Sequence, residues 1–135
     1  AGLRIGIMAA NPDLIKEFDK VRLPYNINSL SQAAASVILR NMSVIDKQIN
    51  SIVSERERLY NALKGMKGVT PYPSDANFIL FKVKDTDAVH NGLIEKGILV
   101  KNLNRPGRLE NCMRVTVGRP EENKAFLVAM KKLLS

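Results

Sequence analysis

Two arginines set among apolar neighbours offer the most chemistry in this sequence. In Cys112-Met113-Arg114-Val115-Thr116-Val117, strand alternation puts Met113, Val115 and Val117 on one face and Cys112, Arg114 and Thr116 on the other. A guanidinium between apolar residues is costly unless something anionic meets it. Its planar fork fits a carboxylate through two parallel hydrogen bonds. The competing reading is an edge-strand arginine lying in solvent or paired to a nearby Glu, and periodicity alone leaves both open. Arg4 sits in Gly2-Leu3-Arg4-Ile5-Gly6. Glycines let a backbone approach a ligand closely, and an arginine between them suits a phosphate. A surface arginine beside turn glycines would give the same short pattern.

Other chemistries are poorly supplied. The single histidine, His90, argues against a multi-histidine metal centre or a Ser-His-Asp triad, so no metal site is expected. The single cysteine, Cys112, excludes an internal disulfide framework and reads as a small buried apolar side chain. His90 falls on the polar side of a helix and reads as a surface residue. Neither a Walker loop nor a G-x-G-x-x-G is present. Twenty-one Lys+Arg against thirteen Asp+Glu leave a net charge of +8, which suits an anionic partner. The basic residues are spread over all segments, and Tyr25, Tyr60 and Tyr72 are too scattered for a base-stacking platform, which argues against nucleic acid. No apolar run approaches the roughly 18–20 residues of a membrane-spanning helix.

These residues must be positioned by elements the pattern predicts. Ala1 to Ala10 reads as an apolar, strand-like run. Asn11-Pro12-Asp13 starts a helix, and Pro24 breaks the pattern after it. Ser29 or Ser31 is expected to cap a long helical stretch interrupted at Asn41-Met42-Ser43, with Ser43 capping its second part. The charge run Glu55-Arg56-Glu57-Arg58 reads as a solvated face. Gly65 and Gly68 stop the helix. Val69 to Tyr72 is an edge strand because of Pro71. Asn77 to Val83 is a central strand, apolar on both faces and covered at least in part on each. Asp85 or Thr86 caps a helix that Gly97 stops. Ile98 to Lys101 is a strand, Asn102 to Asn111 a polar loop, Cys112 to Val117 the last strand, and Pro120 opens the final helix. The order is that of an α+β layer, a small sheet with helices packed on it. With 135 residues and 45% hydrophobic content, the chain fits one domain, with room for a second subdomain.

Four segments taken together resemble the C-terminal part of the histidinol-phosphate aminotransferases, a family of fold-type I, pyridoxal-phosphate-dependent enzymes. They are Ala1-Gly2-Leu3-Arg4-Ile5-Gly6, the run from Arg22 to Ala33 (RLPYNINSLSQA), Ser74-Asp75-Ala76-Asn77-Phe78, and the run from Glu110 to Gly118 (ENCMRVTVG). They occur in the family's order, and the second and fourth are the specific ones. The resemblance implies a small C-terminal domain with a mostly antiparallel sheet over residues 29–135. Residues 1–28 would be the tail of the large cofactor-binding domain and its linker. It implies a cytoplasmic homodimer of histidine biosynthesis that interconverts histidinol phosphate plus 2-oxoglutarate with imidazole-acetol phosphate plus glutamate. Arg4 matches the arginine that binds the cofactor phosphate, and Arg114 the arginine that clamps a substrate carboxylate. Lys101, thirteen positions before Arg114, falls where the family has a second arginine near the substrate phosphate. A lysine keeps that charge and loses the fork.

The departures also matter. In the family the Schiff-base lysine, the aspartate on the pyridine nitrogen and the aromatic residue stacked on the ring all lie upstream of the motif beginning at Ala1. The chain therefore reads as a C-terminal fragment with no catalytic residue of its own, and by itself inactive and not expected to hold the cofactor. Arg119 stands where a helix-capping Thr is usual, at an expected cost of about 1 kcal/mol. The rival readings are another fold-type I enzyme acting on a phosphorylated amino compound, and a free-standing basic module for anions or nucleic acid.

Overall fold

The structure, a computed structural model, describes residues 2–134. The chain divides into two compact units, residues 1–47 and 48–135, with the boundary inside a long helix.

In the first unit, helix α1 (Pro12–Val21) starts where Asn11-Pro12-Asp13 predicts: the Asn11 side chain accepts a hydrogen bond from the Asp13 N–H. Its polar surface is held by exposed ion pairs one turn apart, Lys16–Asp13, Lys20–Glu17 and Arg22–Asp19. Helix α2 (Ser29–Arg40) is capped by Asn28, whose Oδ1 accepts from Ser31 N at 2.9 Å. The cap thus lies one residue before Ser29, because Asn reaches the N3 amide as well as Ser does. The interruption falls at Asn41, and Ser43 lies inside α3 (Met42–Lys64) rather than capping it. The run before α1 is no strand. After a turn at Gly2-Leu3 it is irregular and mostly exposed, since among the described residues no neighbouring strand offers it a ladder. Ala1 lies outside the described residues.

The second unit is built on a four-stranded antiparallel sheet in the order β1-β2-β4-β3: β1 (Val69–Pro71), β2 (Phe78–Val83), β3 (Lys101–Asn102) and β4 (Cys112–Thr116). Helices α4 (Thr86–Glu95) and α5 (Pro120–Leu133) alternate with the strands in the predicted order. The register Ile79↔Val115 and Phe81↔Met113 puts one apolar row on the covered face. There Ile79, Phe81 and Met113 are fully buried with Leu59 and Leu63 of α3, Leu93 of α4, and Phe126 and Met130 of α5. Phe81 and Phe126 meet edge to face, with centroids 6.0 Å apart. Burial of each such side chain stabilises the unit by about 1.5–3 kcal/mol. Asp85 caps α4 by accepting from Ala88 N, and Gly97, at φ +74°, ends that helix in the left-handed region that glycine adopts without strain.

Strand β2 is central and covered in part on both faces, as expected: Ile79, Phe81 and Val83 are buried on one, and Phe78 and Leu80 are half-buried on the other. Two expectations change. Strand β3 is two residues long, so Ile98 to Val100 lies outside the ladder. The charge run is split by the helix. Glu57 is exposed and Arg58 half-exposed, whereas the Glu55 and Arg56 side chains keep 13% and 15% of their accessibility. Arg119 caps nothing with its side chain, having no acceptor. Glu122 offsets this by reaching back to accept from Arg119 N at 2.8 Å and from its guanidinium at 3.3 Å.

Glu55 joins α3 to the far end of the sheet. Its carboxylate accepts twice from Arg58, at 2.8 and 2.7 Å, and from Asn123 Nδ2 at 2.7 Å. The buried Asn123 in turn binds both the N–H and the C=O of Gly118, just after β4. The Arg58 and Asn123 hydrogen bonds hold the Glu55 carboxyl down to about 2, from an ordinary 4.5. A depressed carboxyl stabilises the fold above its unfolded value and loses that contribution as pH falls through the folded one. Glu55→Gln should therefore destabilise the chain by about 1–2 kcal/mol at pH 7, allowing for solvent around half-exposed Arg58. The gap in Tm should close between about pH 5 and 2. A gap independent of pH in thermal unfolding would show that Glu55 acts by shape alone.

Candidate functional site

The uncovered face of the sheet carries two of the three cations that the sequence singles out, Lys101 and Arg114. Arg114 projects from β4 between two register partners, Leu80 on β2 and Lys101 on β3. It is exposed, as its position opposite to buried Met113 and Val115 requires. Its guanidinium carbon lies 4.9 Å from the centroid of the Phe78 ring, one residue pair along the same face. Such a stack holds the planar fork against an apolar shelf and leaves its N–H edges free to bind. Thr116, opposite Phe78, completes this row.

Lys101 and Arg114 are brought together as direct cross-strand neighbours. Like charges placed opposite each other in a sheet repel. Among the described residues neither is in an ion pair, whereas Arg58, Arg119 and three cations of α1 and its end each have one. The reading of Arg114 as paired to a nearby Glu is therefore set aside; an arginine lying in solvent and one that meets an external anion both fit its exposure.

Arg4 belongs to the first unit. It is exposed and adopts φ +54°, a left-handed conformation that costs a non-glycine residue about 1 kcal/mol. Side-chain positions built on the flanking Gly2 and Gly6 would meet nothing within 4 Å. The backbone around Arg4 is thus open on both sides, which fits close approach of a phosphate.

The other chemically notable residues do not join this set. Cys112 is buried, its Sγ 3.6 Å from the Glu110 carbonyl oxygen, as a small core side chain. His90 is half-buried. A cavity of about 360 Å³ is lined by Arg56, Tyr60, Ser74 and Asp75, with neither Arg114 nor Lys101 on its wall. Arg56 there donates to the Ala76 carbonyl at 3.2 Å, which fixes the turn before Phe78. Sequence reasoning missed Phe78 as a support for Arg114. Alternation places Phe78 on a face of β2, but only the register with β4 reveals that this is the face of Arg114.

The sequence profile of the class I and II aminotransferases matches residues 1–130. The chain belongs to that family. Among curated aminotransferases, histidinol-phosphate aminotransferase 2 of Nitrosococcus oceani is 47% identical over 134 residues, covering 97% of this chain. The chain spans 37% of the length of that relative. Among solved structures, the L-threonine-O-3-phosphate decarboxylase of Porphyromonas gingivalis superposes with a TM-score of 0.75 at 29% identity, over 98% of this chain and 42% of its own. The histidinol-phosphate aminotransferase of Sinorhizobium meliloti, solved in complex with pyridoxal-5'-phosphate, shares the fold with a TM-score of 0.76 at 21% identity, over 91% of this chain and 34% of its own. The expected α+β small-domain architecture of this aminotransferase family is borne out. No helix among the described residues is long and apolar enough to cross a membrane.

If the Lys101–Arg114 pair is kept for an external anion, it should cost the chain stability. Lys101→Glu should raise Tm by about 1–3 °C at low salt, corresponding to a few tenths of a kcal/mol for a cross-strand pair. The gain should vanish in 1 M NaCl, where screening is nearly complete. Thermal unfolding at both salt concentrations measures it, and an unchanged or lower Tm at low salt would show that the two cations do not repel.

Proposed function

We propose that this chain is the small-domain portion of a pyridoxal-phosphate-dependent aminotransferase acting on histidinol phosphate. Residues 1–28 would belong to the tail of the large domain and the linker, and 29–135 to the small domain. The reaction moves an amino group between histidinol phosphate and 2-oxoglutarate, giving imidazole-acetol phosphate and glutamate. The observation that carries this reading is the unpaired Lys101–Arg114 cation pair on the open sheet face, in a chain 47% identical to a histidinol-phosphate aminotransferase.

The cofactor, when bound, supplies the electron sink for the transfer. This chain contributes binding and orientation. Arg4 meets the cofactor phosphate. Arg114, stacked on Phe78, takes the carboxylate of glutamate or 2-oxoglutarate through its fork. Lys101 meets the phosphate of histidinol phosphate as a point charge. The lysine that holds the cofactor belongs to the part of the enzyme this chain does not span. The full-length enzyme is a cytoplasmic homodimer in this reading. A second reading, decarboxylation of a phosphorylated amino acid, is favoured by the 29% identity to the threonine-phosphate decarboxylase; transamination of histidinol phosphate by the full-length enzyme decides between them.

Two outcomes are expected. The 135-residue chain by itself has no transaminase activity and forms no dialysis-resistant, saturable absorbance band with pyridoxal phosphate, since no dedicated nucleophile is placed for it. Such a band would overturn the reading. In the full-length enzyme, Arg114→Lys keeps the charge and loses the fork. It should lower the efficiency of the glutamate half-reaction about ten- to a hundredfold, roughly 1.4–2.7 kcal/mol. The histidinol phosphate half-reaction should change far less, because that substrate has no carboxylate. Single-turnover rates with glutamate within about twofold of wild type would make Arg114 a structural residue.

A further inference from the structure

Strand β3 consists of Lys101 and Asn102, and their side chains point to opposite faces. Lys101 pairs in register with exposed Arg114, whereas Asn102 pairs with fully buried Met113 and so faces the helices. A two-residue strand at a sheet edge is weakly held by its ladder alone. What fastens it is the Asn102 amide. Its Nδ2 donates to Asp87 Oδ1 in the first turn of α4 at 2.9 Å, and its Oδ1 accepts from Asn104 N at 2.9 Å.

The chain of contacts continues back to β4. Asn104 Oδ1 accepts from Asn111 N at 2.8 Å, and Asn111, at φ +61°, gives its carbonyl to Val83 N at the end of β2. Leu103 N donates to the Cys112 carbonyl, closing the β3 end of the loop. The Asn102 side chain must donate and accept at once, which an amide does and a carboxylate or an aliphatic group cannot. Among the described residues, Asn102–Asp87 is the side-chain hydrogen bond that ties β3 to α4.

We propose that Asn102 is a positioning residue for the phosphate end of the active site: by fastening β3 to Asp87 of α4, it holds Lys101 opposite Arg114. The inference rests on the assignment of Lys101 to the substrate phosphate made above. Arg114 is fixed separately, by β2 and by Phe78, so losing the Asn102 anchor displaces one cation and not the other. The two substrates must then respond differently.

The test uses the full-length enzyme with histidinol phosphate and glutamate as separate variable substrates. Asn102→Asp sets two carboxylates against each other in place of the bond. It should raise KM for histidinol phosphate about tenfold, with kcat and KM for glutamate within about twofold of wild type. The exchange D87N/N102D lets an amide at position 87 donate to a carboxylate at 102, which still accepts from Asn104 N. It should return KM for histidinol phosphate to within about twofold of wild type. Asp87→Ala, a milder lesion at an exposed carboxylate, should shift that KM about threefold in the same direction, and it serves where Asn102→Asp does not fold. Equal changes in both KM values, a change in Tm alone, or no recovery in the exchange would overturn the proposal. Lys101→Met separates it from the reading beneath it. If that variant leaves KM for histidinol phosphate unchanged, both the Lys101 assignment and the positioning role fall. If it raises that KM while the Asn102 and Asp87 variants do not, only the positioning role falls.

Discussion

Everything in the second unit depends on the antiparallel register of β2 with β4. Because side chains alternate with period two, burying Met113 and Val115 against the helices forces Arg114 and Thr116 to the other face. A slip of one residue would bury the guanidinium and expose the core row. The apolar side chains that stabilise the sheet thus also fix where its cation points. The same register brings Phe78 beneath Arg114, so the guanidinium is set by a strand pair and a ring rather than by a loop.

Polar contacts fix what apolar burial leaves free. Hydrophobic packing of α3 and α5 against the sheet is non-directional, and it would tolerate small shifts of the helices. The Glu55–Asn123–Gly118 contacts remove that freedom at the end of β4, where the backbone must leave the sheet and enter α5. Asn123 is buried with its amide fully engaged, the condition under which a buried polar group stabilises instead of costing. At the other end of the site the loop from Leu103 to Asn111 is held by asparagine amides, each bonding main chain. Both ends of β4 are therefore clamped by directed bonds while its middle is held by burial.

Several local signals in the sequence hold, whereas the serine caps expected at Ser29 or Ser31 and at Ser43 do not, because Asn28 caps α2 and Ser43 lies inside α3. Asn11-Pro12-Asp13 starts α1, Asp85 caps α4, Gly97 ends it, Pro71 keeps β1 at an edge, and alternation in β4 puts Arg114 on the open face. Features set by partners were illegible. Ile98 to Val100 has strand composition, yet strand formation needs a neighbour and the ladder reaches only Lys101 and Asn102. The run Ala1 to Ala10 likewise has the residues of a strand and, over its described part, none of the pairing. Glu55 and Arg56 look like any surface charges, and only the packing of α3 turns them inward. Arg114 and Arg4 could be singled out by type and neighbours, but the cross-strand meeting of Arg114 with Lys101 required the register.

The distribution of charge gives the site its sign. None of the thirteen acidic residues lies in a strand, whereas the strands carry Lys82, Lys101 and Arg114. Elsewhere the sequence pairs its cations locally: on helices, a carboxylate three positions away answers Lys16, Lys20 and Arg58. That device works only where spacing of three or four residues brings side chains together. In a sheet the neighbours come from other strands, and on this sheet they offer no carboxylate. The open face is therefore left with uncompensated positive charge over a half-buried apolar floor of Phe78 and Leu80. A low-dielectric floor strengthens the field of the cations above it, so an arriving anion is attracted more strongly there than at the paired cations of the helices. A fold that only had to be stable would gain by placing one acidic side chain among these strands. Its absence leaves the repulsion between Lys101 and Arg114 unrelieved by any carboxylate of these strands.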